Sequence, residues 1–312
     1  MSERNLLILD LETYYNKEYS LRKMSTPAYV LDQRFELQMA AVKLNDEPHK
    51  IVDGPDLPAF LASVDPAITT SVTFNALFDQ SVLAWRYGWV PSTMIDAMGM
   101  ARALLGHELQ HGVSLKAVAD HLGLPAKGNA LASVIGMRRE EIIGRGLWPA
   151  FCDYALHDNE LCESIFLKLY PQFPWSERRL MDMVLRCCVE PRFLCDVKML
   201  EAHLIDVQDA KAELLRDANN IDPKIIMSTT KFKEALEARG VEVEMKVSPT
   251  TGLETPCFAK TDAFMETLQE HPDSVVAAMA AARLGLKSTL EESRTMKMLS
   301  IAQLPWPDWI LK

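Results

Sequence analysis

The sequence predicts an α/β or α+β domain that is followed by a mostly helical region. Short apolar or β-branched segments early in the chain predict strands, among them residues 6–9 and 68–75. Later residues follow a mostly helical pattern, and strands that interleave with helices are typical of a sheet covered by helices. Two prolines within residues 170–175 interrupt this pattern. We therefore expect a first domain over residues 1–175 and a second, helical one over residues 176–312.

The elements of the first domain follow from local composition. A short apolar run that ends at Asp10 predicts a buried first strand. β-branched residues favour the strand at 68–75, and a helical pattern comes directly after it. A second long helix should end before Pro171, which cannot continue a helix. The predicted strands are residues 6–9, 37–44, 49–53, 68–75 and 93–98, and the predicted helices are residues 77–87 and 151–169.

The second half of the chain predicts helices. Residues 177–218 form one long, charged helical segment, and residues 232–239 and 262–269 predict two shorter helices. A polar loop is expected at residues 248–256, which contain two prolines and a glycine. Composition alone thus predicts a helical fold here and no function.

Length and charge exclude some classes of protein. The chain has 312 residues, 48% of them hydrophobic, which is enough for two domains with separate cores. Its net charge of −10 argues against a protein that merely coats nucleic acid, but not against an enzyme that grips a strand end. Six cysteines without a CxxC spacing, no signal peptide and no long apolar stretch predict a cytoplasmic protein outside the membrane.

Three short segments carry residues suited to metal chemistry. Asp10 and Glu12 are two apart at a strand end and so share one face, where their oxygens would suit Mg²⁺ or Mn²⁺. Asp79 falls at the start of the helix after the 68–75 strand. Tyr154 and Asp158 are four apart in a helix and lie on one face. Each segment alone is explained as well by surface placement, by the preference of helix starts for acids, or by an amphipathic helix.

Taken together, the segments resemble a known superfamily. D-x-E at Asp10, N-x-x-x-D ending at Asp79 and Y-x-x-x-D ending at Asp158 come in the order found in DEDD exonucleases. The resemblance is to the tyrosine branch, because Asp153 stands where the histidine branch has its histidine. It covers about the first 170 residues.

The resemblance implies a ribonuclease H-like fold and two divalent metal ions, Mg²⁺ or Mn²⁺, about 4 Å apart. In such enzymes the residue matching Asp10 bridges both ions, those matching Glu12 and Asp158 complete the tighter site, and the one matching Asp79 holds the second ion. Tyr154 would orient the attacking water. The positions that would hold the terminal nucleotide or shape the site are Thr13, Asn75 and Phe78.

A second motif points to different chemistry. Residues 107–111 match H-E-x-x-H, which in zinc peptidases places His107 and His111 on one helix face with Glu108 as general base. Gly106 and Gly112 flank the motif and weaken the helix that it needs. Glu140 or Glu141 could be the third ligand, but nothing in the sequence singles them out. A zinc metallopeptidase is therefore a minor alternative, and a polar turn is the simpler interpretation.

The second half also carries a resemblance. Residues 246–260 and 281–295 resemble the thumb of family A DNA polymerases, particularly bacteriophage-type ones, and residues 114–128 resemble their exonuclease domain. The palm and fingers motifs of those polymerases are absent, so we expect no polymerase activity from this chain. A thumb would contact the DNA backbone, and the candidates for this contact are Lys246, Lys260, Arg283, Lys287, Ser288, Thr289 and Arg294.

These patterns predict a metal-dependent 3′→5′ exonuclease that hydrolyses DNA to nucleoside monophosphates, as the proofreading portion of a family A polymerase. Its partner would be a single-stranded or frayed 3′ end of DNA. An alternative is a non-catalytic DNA-binding or assembly subunit that joins a separately encoded palm and fingers chain. The expected location is the cytoplasm, or the host cytoplasm if a phage encodes the chain.

Overall fold

The computed structural model describes residues 4–109, 112–128 and 133–310. The chain divides into two compact units, one formed by Met1–Leu194 with Leu304–Lys312 and the other by Cys195–Gln303. None of the helices within these described ranges is long and apolar enough to cross a membrane.

The first unit is built on a mixed five-stranded sheet with the strand order β3-β2-β1-β4-β5. β2 pairs antiparallel with β1 and β3, whereas β1, β4 and β5 run parallel. This is a ribonuclease H-like arrangement, as the sequence led us to expect. The strands are β1 (Asn5–Thr13), β2 (Leu37–Leu44), β3 (Lys50–Asp53), β4 (Thr69–Thr73) and β5 (Thr93–Asp96).

Helices cover both faces of this sheet. Alternation along β1 turns Leu7 and Leu9 to one face and Ile8 to the other, and each face has its own buried cluster. The helices of the unit are α1 (Thr26–Val30), α2 (Leu57–Ala62), α3 (Ala76–Tyr87), α4 (Ala97–Leu105), α5 (Leu115–His121), α6 (Arg139–Gly144), α7 (Trp148–Leu169) and α8 (Trp175–Val189). α3 belongs to the Leu7 face and α7 to the Ile8 face.

All five strands predicted for the first domain are present, but β1 is longer than expected. It extends to Thr13 because its pairing with β2 continues beyond Asp10, through Glu12 opposite Met39. Asp10 therefore lies within the strand rather than at its end. This extension places both carboxylates on paired, rigid backbone.

The expected boundary after residue 175 lies at a different place in the structure. Helix α8 belongs to the first unit, and its Leu185 and Val189 are buried in the same cluster as β1. The prolines near residue 171 separate α7 from α8 without ending the domain. The helical segment predicted over residues 177–218 is divided into two helices, because α8 ends at Val189 and Pro191 follows directly.

The second unit is mostly helical, as predicted. Its core brings together side chains such as Phe232, Phe264 and Met279. A short antiparallel hairpin spans part of the segment expected to be a loop. The elements are α9 (Val197–Asp217), α10 (Pro223–Met227), α11 (Thr229–Glu237), β6 (Met245–Val247), β7 (Glu254–Pro256), α12 (Ala263–Gln269), α13 (Ser274–Lys287) and α14 (Leu290–Ala302).

Arg283 is the unusual residue of this core, since its exposed fraction is 0%. Its guanidinium donates to the carbonyl oxygen of Ile226 and lies 4.5 Å from the ring centroid of Phe232 and 4.8 Å from that of Phe258. Burial lowers its pKa to about 10. The expectation that Arg283 contacts DNA is therefore wrong, because its charge is used to join α10 to the core.

We expect Arg283→Ala to destabilise the second unit by about 3 kcal/mol, because it leaves a cavity and buried carbonyl groups without a donor. Arg283→Met, which fills the volume, should cost less, and the exposed Arg294→Ala should change stability by less than about 0.5 kcal/mol. All six tryptophans lie in the first unit, so their fluorescence reports that unit alone, and circular dichroism reports both. An early loss of ellipticity without a fluorescence change is the expected result, and identical melting of Arg283→Ala and wild type would contradict it.

Candidate metal centre

Strand β1 and helix α7 bring three carboxylates together. One oxygen of each of Asp10, Glu12 and Asp158 lies within 4.8 Å of the others, and among the described residues no other such group of acidic, histidine or cysteine side chains occurs. Two-residue spacing puts Asp10 and Glu12 on the sheet face that α7 covers. The structure thus joins the first and third predicted motifs in one cluster.

Asp158 has one oxygen in use and one without a partner. It is only 5% exposed, and its Oδ2 lies 2.6 Å from the Nζ of Lys127. Its Oδ1 is buried and accepts no hydrogen bond from any described residue. A buried carboxylate oxygen in this condition is costly unless a cation or donor reaches it. The donor set, all hard oxygens, fits Mg²⁺ or Mn²⁺.

The pKa values of the cluster show the same shortage of positive charge. Burial first, and then the charge of Asp158, raises the pKa of Asp10 to about 7. Burial and the charges of Asp10 and Asp158 raise the pKa of Glu12 well above its usual range. Lys127 opposes both shifts without cancelling them. The site therefore binds protons in the absence of another cation, and a divalent ion would relieve the same repulsion.

Asp79 lies near this cluster but is not one of its three members. It is buried in the first turn of α3, and burial together with the charge of Asp10 raises its pKa well above the usual range. The backbone N–H of Leu11 partly offsets the shift. Asp79 is therefore close enough to interact with Asp10, and its assignment to a second metal ion stays a prediction.

Asn75 adopts an unusual backbone conformation directly before α3. Its φ of 76° and ψ of 55° are left-handed, and its side chain does not cap the helix. Its N–H donates to Asp96 Oδ1 at 2.9 Å, and Asp96 also caps α4 through the N–H of Met98. Asp96 thus holds the turn that carries Asn75. A strained, externally held residue of this kind is common at functional sites.

Thr13 and Phe78 are linked through one aromatic side chain. The hydroxyl of Thr13 is buried and lies 2.9 Å from the hydroxyl of Tyr29, whose ring centroid is 5.8 Å from that of Phe78. Along the chain, Thr13 directly follows Glu12 on β1, and Phe78 directly precedes Asp79 on α3. Their predicted contact with a terminal nucleotide stays a prediction, as does that of Asn75.

Tyr154 is buried one turn before Asp158 on α7. Burial, and then the charges of Asp158 and Glu12, raise its pKa far above the usual range. The phenol therefore remains protonated at neutral pH. It can orient a water molecule by hydrogen bonding, but it cannot act as a tyrosinate base.

Lys127 is the member of the site that sequence reasoning did not identify. Besides its ion pair with Asp158, its Nζ lies 5.2 Å from the ring centroid of Tyr154. It comes from the loop after α5, and no residue spacing relates it to the acidic motifs. Only the fold reveals its role, which is to supply one positive charge to a cluster of closely spaced acids.

The described part of the H-E-x-x-H segment, residues 107–109, does not form the helix that a zinc peptidase needs. Helix α4 ends at Leu105, and His107 and Glu108 lie in the turn that follows. The carboxylate of Glu108 lies 3.3 Å from His107 and 3.1 Å from His121. His111 lies outside the described residues. The polar-turn interpretation is confirmed for the described part, and the alternative of a zinc site loses its geometric basis.

The remaining DNA-backbone candidates are on the second unit. Lys246 is bound to Asp262, so its charge is already compensated. The others are exposed, and their contact with phosphate stays a prediction: Lys260, Lys287, Ser288, Thr289 and Arg294.

No family model matches the chain, and no curated protein is detectably similar in sequence. Among solved structures it is similar to Brucella melitensis NrnC with bound Mg²⁺, at 16% identity and a TM-score of 0.37 over 60% of this chain and 83% of that one. It is also similar to a family B DNA polymerase from Pyrobaculum calidifontis, at 15% identity and a TM-score of 0.41 over 99% of this chain and 48% of that one. A third similar structure is Escherichia coli RNase D, at 15% identity and a TM-score of 0.41 over 96% of this chain and 68% of that one. Sequence identities and TM-scores this low are no basis for assigning an activity.

Proposed function

We propose that the chain is a metal-dependent 3′→5′ exonuclease that hydrolyses DNA to nucleoside monophosphates. The observation that carries the proposal is the meeting of Asp10, Glu12 and Asp158, with a buried oxygen of Asp158 left free. This arrangement needs a cation, and acids of this kind beside a protonated phenol suit phosphodiester hydrolysis. No side-chain nucleophile is required.

The reaction can be written from the residues present. The oxygen of a water molecule attacks the terminal phosphorus, the bond from phosphorus to the 3′ oxygen breaks, and that oxygen takes up a proton. Bound divalent ions would supply a lower pKa for the water and charge neutralisation at the leaving oxygen. The carboxylates of Asp10, Glu12 and Asp158 would hold these ions, with Asp79 at the second position. Tyr154 would hold the attacking water by a hydrogen bond.

The biological role that we propose is proofreading within a family A polymerase. Its support is the resemblance of the second half to a thumb and the lack of palm and fingers motifs in this chain. The chain alone should therefore degrade DNA and not extend a primer. Its DNA partner would be a single-stranded or frayed 3′ end.

End-labelled single-stranded DNA tests this proposal. With Mg²⁺ or Mn²⁺, a 5′-labelled strand should give a ladder of progressively shorter products, whereas a 3′-labelled strand should release labelled mononucleotide at once. EDTA should stop both reactions. An RNA strand of the same sequence measures the preference for DNA. Failure to cleave with either metal would contradict the proposal, and release of mononucleotide from the 5′ end would contradict its direction.

A second candidate function is a non-catalytic assembly subunit. Large apolar side chains are exposed on the second unit, among them Met199, Leu290 and Met296. Exposed apolar surface is often covered by a partner, which here would be a separately encoded palm and fingers chain. A chain that binds primer DNA without cleaving it, and that supports synthesis only after such a chain is added, would favour this function over the first.

A further inference from the structure

A charged cleft lies in the first unit, away from the carboxylates of the metal centre. Its volume is about 740 Å³, within the usual range for ligand sites. Its floor includes Thr70 and Thr93, near the starts of β4 and β5, and one wall is helix α8. The arginines that line it are Arg4, Arg178, Arg179, Arg186 and Arg192.

Only part of this positive charge is compensated within the protein. Asp182 and Glu190 both pair with Arg186, and Glu190 also lies 3.4 Å from Arg192. Among the described residues, Arg178 and Arg179 have no carboxylate within ion-pair distance, and neither has Arg4. Five guanidinium groups against these two carboxylates leave a local charge of +3, in a chain whose net charge is −10.

The cleft also presents aromatic rings in fixed positions. The guanidinium of Arg178 lies 3.7 Å from the ring centroid of Tyr170 and donates to the carbonyl oxygens of Phe173 and Tyr170. The guanidinium of Arg179 lies 4.9 Å from the ring centroid of Trp175, whose exposed fraction is 66%. An exposed indole beside guanidinium groups is the combination that binds bases and phosphates of single strands.

We propose that this cleft is a second nucleic-acid site, which binds a single strand through phosphates at Arg178 and Arg179 and a base on Trp175. Polyanions are attracted to local positive charge even when the whole protein is acidic. The proposal rests on the proposed function, because the strand bound here would be the substrate.

The cleft is too far from the metal cluster to hold the nucleotide that is cleaved. Tyr170 follows Asp158 by twelve residues along α7 and its end, which corresponds to about 18 Å. Thr70 pairs with Leu6, four residues before Asp10 on β1, which corresponds to about 13 Å. The cleft would therefore contact a nucleotide several positions before the 3′ end, and only a long strand could occupy both sites.

Fluorescence anisotropy of labelled oligo-dT in EDTA measures strand binding without cleavage. Arg179→Ala and Trp175→Ala, both at exposed positions, should each weaken binding at least about fivefold. Arg179→Ala should also make the slope of log affinity against log salt shallower by about 0.7, the value for one phosphate contact on a single strand. Arg102→Ala, at an exposed arginine outside the cleft, is the matched control. Affinities and slopes that equal those of this control would overturn the proposal.

Substrate length separates this inference from the proposed function. The same two variants should raise KM for a long single strand and leave hydrolysis of the dinucleotide dTpdT unchanged, because the dinucleotide cannot reach the cleft. An equal loss on both substrates would show damage to the metal cluster and overturn the inference. If wild type cleaves neither substrate but strand binding still depends on Arg179, the exonuclease proposal fails and the second site stands.

Discussion

Asp158→Asn should lower the rate of DNA hydrolysis at least about 10³-fold, equivalent to about 4 kcal/mol of transition-state stabilisation. The substitution keeps the shape of the side chain but removes the charge that faces both Lys127 and the other carboxylates. Steady-state hydrolysis of 5′-labelled single-stranded DNA with Mn²⁺ measures the loss. Isothermal titration with Mn²⁺ should show weakened metal binding in the same variant.

The same helix provides the matched control. Asp153 is exposed on α7, only five residues before Asp158, and Asp153→Asn removes an equal charge without touching the cluster. It should keep wild-type activity. The hydrolysis rate of Tyr154→Phe should fall between those of the two variants, about tenfold to a hundredfold below wild type. Its Mn²⁺ affinity should be unchanged, because the phenol holds water rather than metal. Equal activity of Asp153→Asn and Asp158→Asn would exclude the proposed metal centre.

The part of this site that sequence could predict is the part that follows from periodicity. Two-residue spacing in a strand and four-residue spacing in a helix put Asp10 with Glu12 and Tyr154 with Asp158. The order of the motifs then suggested the sheet on which β1 and α7 meet. Each inference uses the geometry of one regular element. The fold confirmed both pairings because regular elements keep that geometry.

Residues that act through tertiary contacts were not predictable in this way. Lys127 reaches Asp158 from a loop, and nothing in its own segment distinguishes it from a solvated lysine. Arg283 has the charge expected of a DNA-contacting residue, yet its guanidinium packs against two phenylalanine rings of the core. The boundary was misplaced for a related reason, because prolines mark the end of a helix and not the end of a core. The apolar face of α8 decides to which core it belongs.

The metal-free protein should lose stability as pH rises. A carboxyl group whose pKa is higher in the folded state binds protons more tightly when folded, so stability falls as pH rises. For Asp10 this window runs from the usual aspartate pKa of 3.8 to its raised pKa of about 7. Glu12 and Asp79, whose pKa values are also raised, act in the same direction. In EDTA the melting temperature of the first unit should fall by about 5–10 °C between pH 5 and pH 8.

A divalent ion should reverse this loss, because it replaces the protons as the source of positive charge. At pH 8, Mn²⁺ at a hundredfold excess over its Kd should add about 2.7 kcal/mol to stability. Tryptophan fluorescence measures the transition selectively, since all six tryptophans are in the first unit. Lys127→Met removes the opposing positive charge and should make the metal-free loss larger.

Asp10→Asn isolates the contribution of the cluster from that of other titrating groups. In EDTA at pH 8 this variant should melt above wild type, because it removes one negative charge from beside Glu12, Asp79 and Asp158. It should also gain little from Mn²⁺ and hydrolyse no DNA. If replacing Asp10 both stabilises the fold and abolishes activity, the residue is retained for its chemistry. Parallel melting curves for wild type and Asp10→Asn across this pH range would mean that Asp10 is not under the charge repulsion that the structure indicates.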